Sequence, residues 1–184
     1  LAGTRLVPIA SGSAGATPGT QDNLGGVAEL KPGEIRLEPG SALASPLLTG
    51  DLDLSAVGTV TEVRGNRVYA FGHAMFAEGR SLLPIATSYI YTIMPNVQQS
   101  FKMGASLQTQ GALVMDEQTG IVGLLGRKAP TVPLSLTVQT ADGAVHHVYH
   151  YQLAPHPKLT PEILTAAVNE ALTAQRGLPK YFTL

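Results

Sequence analysis

The run Val68-Tyr69-Ala70-Phe71-Gly72-His73-Ala74-Met75-Phe76 ends a strand-like apolar stretch on a glycine and a histidine. A general base needs such a mount. Its ring must be held at a fixed angle beside a nucleophile, with the second ring nitrogen tied to an acceptor. Gly72 lets backbone or substrate come close. The plainer reading of His73 is a core histidine with both nitrogens satisfied, the commoner fate of a lone histidine. Asp116 is a candidate acid to orient His73, on spacing alone; its plainer reading is a turn residue ahead of Gly120. Asp51 and Asp53 read as polar residues at a strand entry, with Asp51 bonding its own turn after Gly50.

His146, His147 and His150 form a second constellation. On a strand, His146 and His150 share one face, while His147 points the other way beside Tyr149 and Tyr151. The two on one face are too far apart for easy joint ligation without a third ligand, and no nearby carboxylate completes a set. They read as solvent-facing histidines on an edge strand. Arg127-Lys128 reads as a solvated loop, and Tyr89, Tyr91, Phe101 and Met103 read as core.

A nucleophile is harder to place. Zero cysteines exclude thiolate chemistry and disulfides. Ser11-Gly12-Ser13 is the only Ser-Gly-Ser string, and it lies in a stretch of small residues that reads as linker, leaving Ser11 an outside candidate. Ser81, Ser88, Ser100 and Ser106 lack flanking glycines that would free backbone amides to stabilise an oxyanion.

The elements that must position these groups are mostly strands. A chain of 184 residues with 44% hydrophobic and 14% charged residues suits one globular domain. Its net charge of -1 argues against nucleic acid, which needs a basic face. No apolar run is long enough to span a bilayer, and no signal-peptide pattern is visible. The start at Leu1 reads as a processed product or a piece of a longer parent.

Strands are expected at Ser55–Val63, Arg67–Phe71, Ala86–Ile93, Gln99–Met103, Ala112–Met115 and Ile121–Leu125, with turns at Arg64-Gly65-Asn66 and between Asp116 and Gly120. Val132, Leu134, Leu136 and Val138 alternate with polar or small partners, as a half-buried strand does. Pro133 puts that strand at an edge. Asp142-Gly143 turns it into Val145–Leu153. Thr160 caps a helix with Pro161 at its first position, and Ile163, Leu164, Ala167, Val168, Ala171 and Leu172 form its apolar stripe. Gly177 ends it.

Several of these strings together resemble the SpoIVB family of serine peptidases. They are Gly50-Asp51, Ala56-Val57-Gly58-Thr59-Val60-Thr61, Ala70-Phe71-Gly72-His73, Ser100-Phe101-Lys102 and Gly120-Ile121-Val122-Gly123, within roughly residues 38–133. The resemblance implies a trypsin-like antiparallel β-barrel with a histidine base, a serine nucleophile and an acidic orienter, His73 being the base. The family's Gly-Met-Ser-Gly-Ser-Pro type of nucleophile loop does not follow His73. The nucleophile is then expected on a segment ahead of Leu1, or the chain is not a peptidase.

The expectation is therefore a mostly β chain of three parts: a flexible segment over 1–24, a barrel-like domain over 25–158, and a C-terminal helix and tail over 159–184. Its function would be a serine peptidase, or the histidine-bearing part of one, acting by acyl transfer on protein or peptide substrates, itself among the candidates. A bacterial extracytoplasmic setting fits that reading, and neither metal nor organic cofactor is implied. The rival is a non-catalytic β-barrel that binds a protein or peptide along an edge strand.

Overall fold

The computed structural model describes residues 35–95, 101–139 and 145–173. The linker expected over 11–20, the turn at Asp142-Gly143 and the helix end at Gly177 lie outside them. The described chain is mostly β, with strands β1 (Ala42–Gly50), β2 (Leu54–Arg64), β3 (Arg67–Ala70), β4 (Gly79–Met94), β5 (Phe101–Glu117), β6 (Gly120–Leu125), β7 (Val132–Gln139) and β8 (Val145–Leu153), followed by helix α1 (Thr160–Thr173). Among the described residues no helix is long and apolar enough to cross a membrane.

All strand pairs are antiparallel, and the neighbours run β2-β3-β6-β5-β4-β1-β8-β7. A further pairing of β2 with β1 joins the ends of the first six, so those strands form a closed circuit of hydrogen bonds. Strand β1 makes this possible. One of its edges pairs with β2 over Ala42–Leu48. The other pairs first with β4 at Leu43 and Ala44, then with β8 at Leu48–Gly50. Its middle is accordingly buried without interruption. Pro46 lacks an amide donor, and a bulge between Pro46 and Leu48 accommodates it.

Gln99 and Ser100 lie outside the described residues; the rest of the two short strands expected at Gln99–Met103 and Ala112–Met115 belongs to one long β5. It pairs with a β4 of nearly the same length through several bulges. At Gly104 and Gly111 a neighbouring backbone comes too close for a Cβ. The far end of this hairpin extends past the circuit. There Tyr91 and Ile93 are exposed, so Tyr91 is not core as the sequence suggested.

The β2–β3 hairpin closes as expected, with Arg64 opposite Arg67 and Gly65 at φ 59°. A left-handed glycine at the first loop position suits the twist of the flanking strands. Strand β7 lies at the sheet's edge, as Pro133 indicates. The histidines sit on β8, which is flanked by β1 and β7 and so is not an edge.

The helix buries Ile163, Ala167 and Ala171, one residue per turn of the expected stripe. They join a single apolar cluster with Tyr149, Tyr151 and Leu153 of β8 and with the circuit's own Leu43, Leu83, Ile85 and Leu113. The Tyr151 hydroxyl donates to Glu170 at 3.1 Å. Burial and that carboxylate push the phenol's pKa far upward, so it remains a donor. Thr160 departs from expectation: its Oγ1 accepts the His156 amide at 2.9 Å rather than a first-turn amide.

Leu48 is fully buried where β1 changes partner from β4 to β8, opposite Leu54 on one side and Leu153 on the other. Leu48→Ala should lower unfolding stability by about 2–5 kcal/mol, read as an earlier midpoint in urea. A cost under about 1 kcal/mol would mean the junction is not a rigid part of the core.

Candidate functional site

Strand β3 stops at Ala70, and the segment from Phe71 to Gly79 leads into β4. Phe71 (φ 75°), Gly72 (φ 73°), Ala77 (φ 58°) and Gly79 (φ 70°) are all left-handed. For the two that carry a side chain this is a strained conformation, which surrounding contacts must hold. Three sets of contacts do so.

The first holds Phe71. Its amide donates to Thr59 O at 2.9 Å, and its ring lies flat over Gly58 of β2. Any Cβ at Gly58 would overlap the ring carbons. The Gly58 and Phe71-Gly72-His73 motifs are therefore two halves of one packing device. The seated ring then meets His73 edge-on, with centroids 5.7 Å apart. Gly120 plays a similar part from β6: a Cβ there would meet Ala70 O at 2.8 Å, and Gly72 N lies next to it at 3.5 Å.

The second is Asp116, at the end of β5 and 1% exposed. Its Oδ1 accepts the Met75 amide at 2.8 Å, and its Oδ2 accepts those of Phe76 at 2.6 Å and Ala77 at 2.9 Å. Three amide donors offset the desolvation of a buried carboxylate. Asp116 is thus paired strand, opposite Gly79 and Ile121, and not a turn residue. It reaches the His73 loop but makes no hydrogen bond to the ring.

The third was not anticipated from sequence. Glu78 Oε2 pairs with His156 Nε2 at 3.0 Å, and its Oε1 with Lys158 Nζ at 2.7 Å. The His156 ring also tilts against Phe76 at 5.3 Å. His156 is buried, and its Nδ1 accepts the amides of Lys158 and Leu159, each at 3.3 Å. An acceptor at Nδ1 requires the proton at Nε2, where it is donated to Glu78. A single histidine ahead of a helix carries no sequence signal for such a clasp, because its carboxylate partner, Glu78, lies far upstream in the chain.

Those contacts leave His73 exposed at a strand end. Its Nδ1 lies 2.7 Å from Ala74 O. A carbonyl only accepts, so Nδ1 carries the proton and Nε2 the free lone pair. Nε2 has no hydrogen-bond partner among the described residues. Chemically, the site can take a proton from a group brought to it from outside.

The other candidates lie apart from this loop. His150 Nδ1 is 3.1 Å from Ser135 Oγ, and His147 packs on Tyr149 with centroids 4.4 Å apart. Among the described residues no three His, Asp or Glu side chains converge as a metal site. Asp51 Oδ2 accepts the His150 amide at 2.6 Å, across strands rather than within its own turn. Asp53 accepts the hydroxyls of Ser55 and Ser106 and the Ser106 amide. Ser106 is therefore committed elsewhere, as is Ser88, which donates to Ala105 O. Ser11 lies outside the described residues. Comparison with known proteins adds no relative: no family model, curated protein or solved structure matches the chain.

Gly58→Ala should displace Phe71 and cost about 1–3 kcal/mol of stability, with loss of the ring-current shift that Phe71 imposes on His73. The Lys158 hydrogen bond, with smaller help from the Lys158 charge and the His156 hydrogen bond, holds the Glu78 carboxyl below its ordinary value of 4.5. A carboxyl depressed on folding stabilises above its unfolded value and ceases to do so as pH falls through the folded one. Glu78→Gln should therefore flatten the fall of the thermal midpoint below about pH 4.5. An unchanged acid limb would show that Glu78 is unpaired in solution.

Proposed function

We propose that this chain is the histidine-bearing domain of a serine peptidase of the SpoIVB type, with His73 as general base. The observation that carries the reading is the placement of the ring, with Nδ1 2.7 Å from Ala74 O, from which the tautomer follows. Nδ1–H is engaged by Ala74 O, and Nε2 is bare and exposed at the end of a strand. In this scheme Nε2 takes the proton from a serine hydroxyl as its oxygen attacks a peptide carbonyl. It then returns that proton to the departing amine, leaving an acyl-enzyme for water to hydrolyse.

The finer architecture belongs to the same proposal. A trypsin-like barrel is a closed antiparallel sheet, and the six-strand circuit supports it. So do the histidine just after the third strand of the circuit and the carboxylate at the end of the fifth. Among the described residues no serine lies within hydrogen-bond reach of His73, so in this scheme the nucleophile lies outside them. The substrate is a protein or peptide, and the parent itself is one candidate.

The rival, a peptide-binding module, draws on one observation: β7 has a neighbour on one side only, with Val132, Pro133, Ser135 and Thr137 exposed along it. A fluorophosphonate probe on the full-length parent separates the two. A peptidase should label at one serine and lose the label in His73→Ala. The thermal midpoint should move only a few degrees, since removing one exposed side chain costs roughly 1 kcal/mol or less. No labelled serine, or labelling indifferent to His73→Ala, would favour the binding module.

A further inference from the structure

We infer that Asp116 is a positioning residue for His73 and acts through a single peptide group, Ala74–Met75, rather than by contact with the ring. The inference rests on the reading of His73 as a base. A general base of this kind needs an acceptor that holds Nδ1–H and favours the imidazolium as it forms. A carboxylate is the usual choice. Here the acceptor is a main-chain carbonyl, which by itself is a weaker and more mobile partner than a carboxylate.

The geometry removes that deficit. Ala74 O and the Met75 amide belong to one planar trans peptide, so the carbonyl and the N–H point in opposite directions along a rigid unit. On one side, His73 Nδ1 lies 2.7 Å from Ala74 O. On the other, the Met75 amide donates to Asp116 Oδ1 at 2.8 Å. Holding the N–H therefore aims the C=O. The next two amides, Phe76 and Ala77, are bound by the second oxygen of the same carboxylate, which stops the unit from rotating about the following bonds.

Polarisation acts in the same direction. An amide that donates to a charged acceptor becomes a better acceptor at its own carbonyl, and the gain is larger where water is excluded. Asp116 is 1% exposed, so its charge is little screened. The chain of bonds runs Asp116 carboxylate, Met75 N–H, Ala74 C=O, His73 Nδ1–H. It ends on a bare Nε2. Glu78, the other carboxylate on this loop, is occupied by His156 and Lys158 and does not enter it.

Nitrogen-15 NMR of the 184-residue chain tests this directly, at a pH where the His73 ring is neutral. The ring-nitrogen shifts report the tautomer, which a merely structural role for Asp116 would not move. Wild type should hold His73 as Nδ1–H. Asp116→Asn should shift it toward Nε2–H and speed exchange of the Met75, Phe76 and Ala77 amides by about tenfold or more. Asp53→Asn, which disturbs a different carboxylate network, should leave the tautomer as it is. A wild-type His73 found as Nε2–H overturns the inference, as does a folded Asp116→Asn chain with an unchanged tautomer. If Asp116→Asn does not fold, the wild-type spectrum still decides, because the relay requires both Nδ1–H and a slowly exchanging Met75 amide. Serine labelling of the parent is independent. An Asp116-dependent tautomer without a labelled serine keeps the relay and removes the peptidase; a labelled serine with His73 as Nε2–H removes the relay alone.

Discussion

The conformation of the candidate site depends on one buried charge. A carboxylate removed from water is tolerated only where donors replace the water it has lost. Asp116 meets that demand with three consecutive backbone amides, all from the segment that follows His73. The requirement runs both ways. The segment's own amides would otherwise lack partners, since it belongs to neither β3 nor β4, and one of its residues with a side chain, Ala77, sits at positive φ. The strain of that backbone and the desolvation of that carboxylate are each acceptable only because of the other.

The two histidines at this loop show how environment assigns chemistry to a side chain. His156 is enclosed, with two amides at Nδ1 and a carboxylate at Nε2, so neither nitrogen is free. It fastens the entry of α1 to the far end of the loop. His73 has the opposite tautomer and one open nitrogen. The two rings, His73 against Phe71 and His156 against Phe76, are told apart by which nitrogen meets a donor and which an acceptor.

Below the loop, the sheet supplies rigidity. Strand β1 is shared between the six-strand circuit and the β7–β8 hairpin, and α1 covers the hairpin's apolar face. Because one apolar cluster runs from Leu43 to Ala171, the clasp between Glu78 and His156 ties the loop to an element that is itself anchored in the core. The loop is therefore restrained from β2 at Gly58, from β5 at Asp116 and from the start of α1 at His156. That is the support a functional side chain on irregular backbone requires.

Much of this was legible in the residues alone, because it is local. Alternation at Val132–Val138, the turn at Gly65, the stripe on α1 and the Gly72-His73 step all report on neighbours a few positions away, where period and steric preference act directly. The mostly antiparallel β character follows from such signals. What depended on contacts remote in sequence was not legible. Strand β1, which pairs with β2, β4 and β8, was not among the strands expected, and the bulge that accommodates its Pro46 exists only beside a partner. Asp116 looked like a turn residue until three amides from forty positions upstream surrounded it, and His156 meant nothing without Glu78. Residue types and local spacing determined that His73 stands at a strand end after a permissive glycine. Only the tertiary structure decided which of its nitrogens carries the proton, because that choice belongs to the peptide the loop places beside the ring.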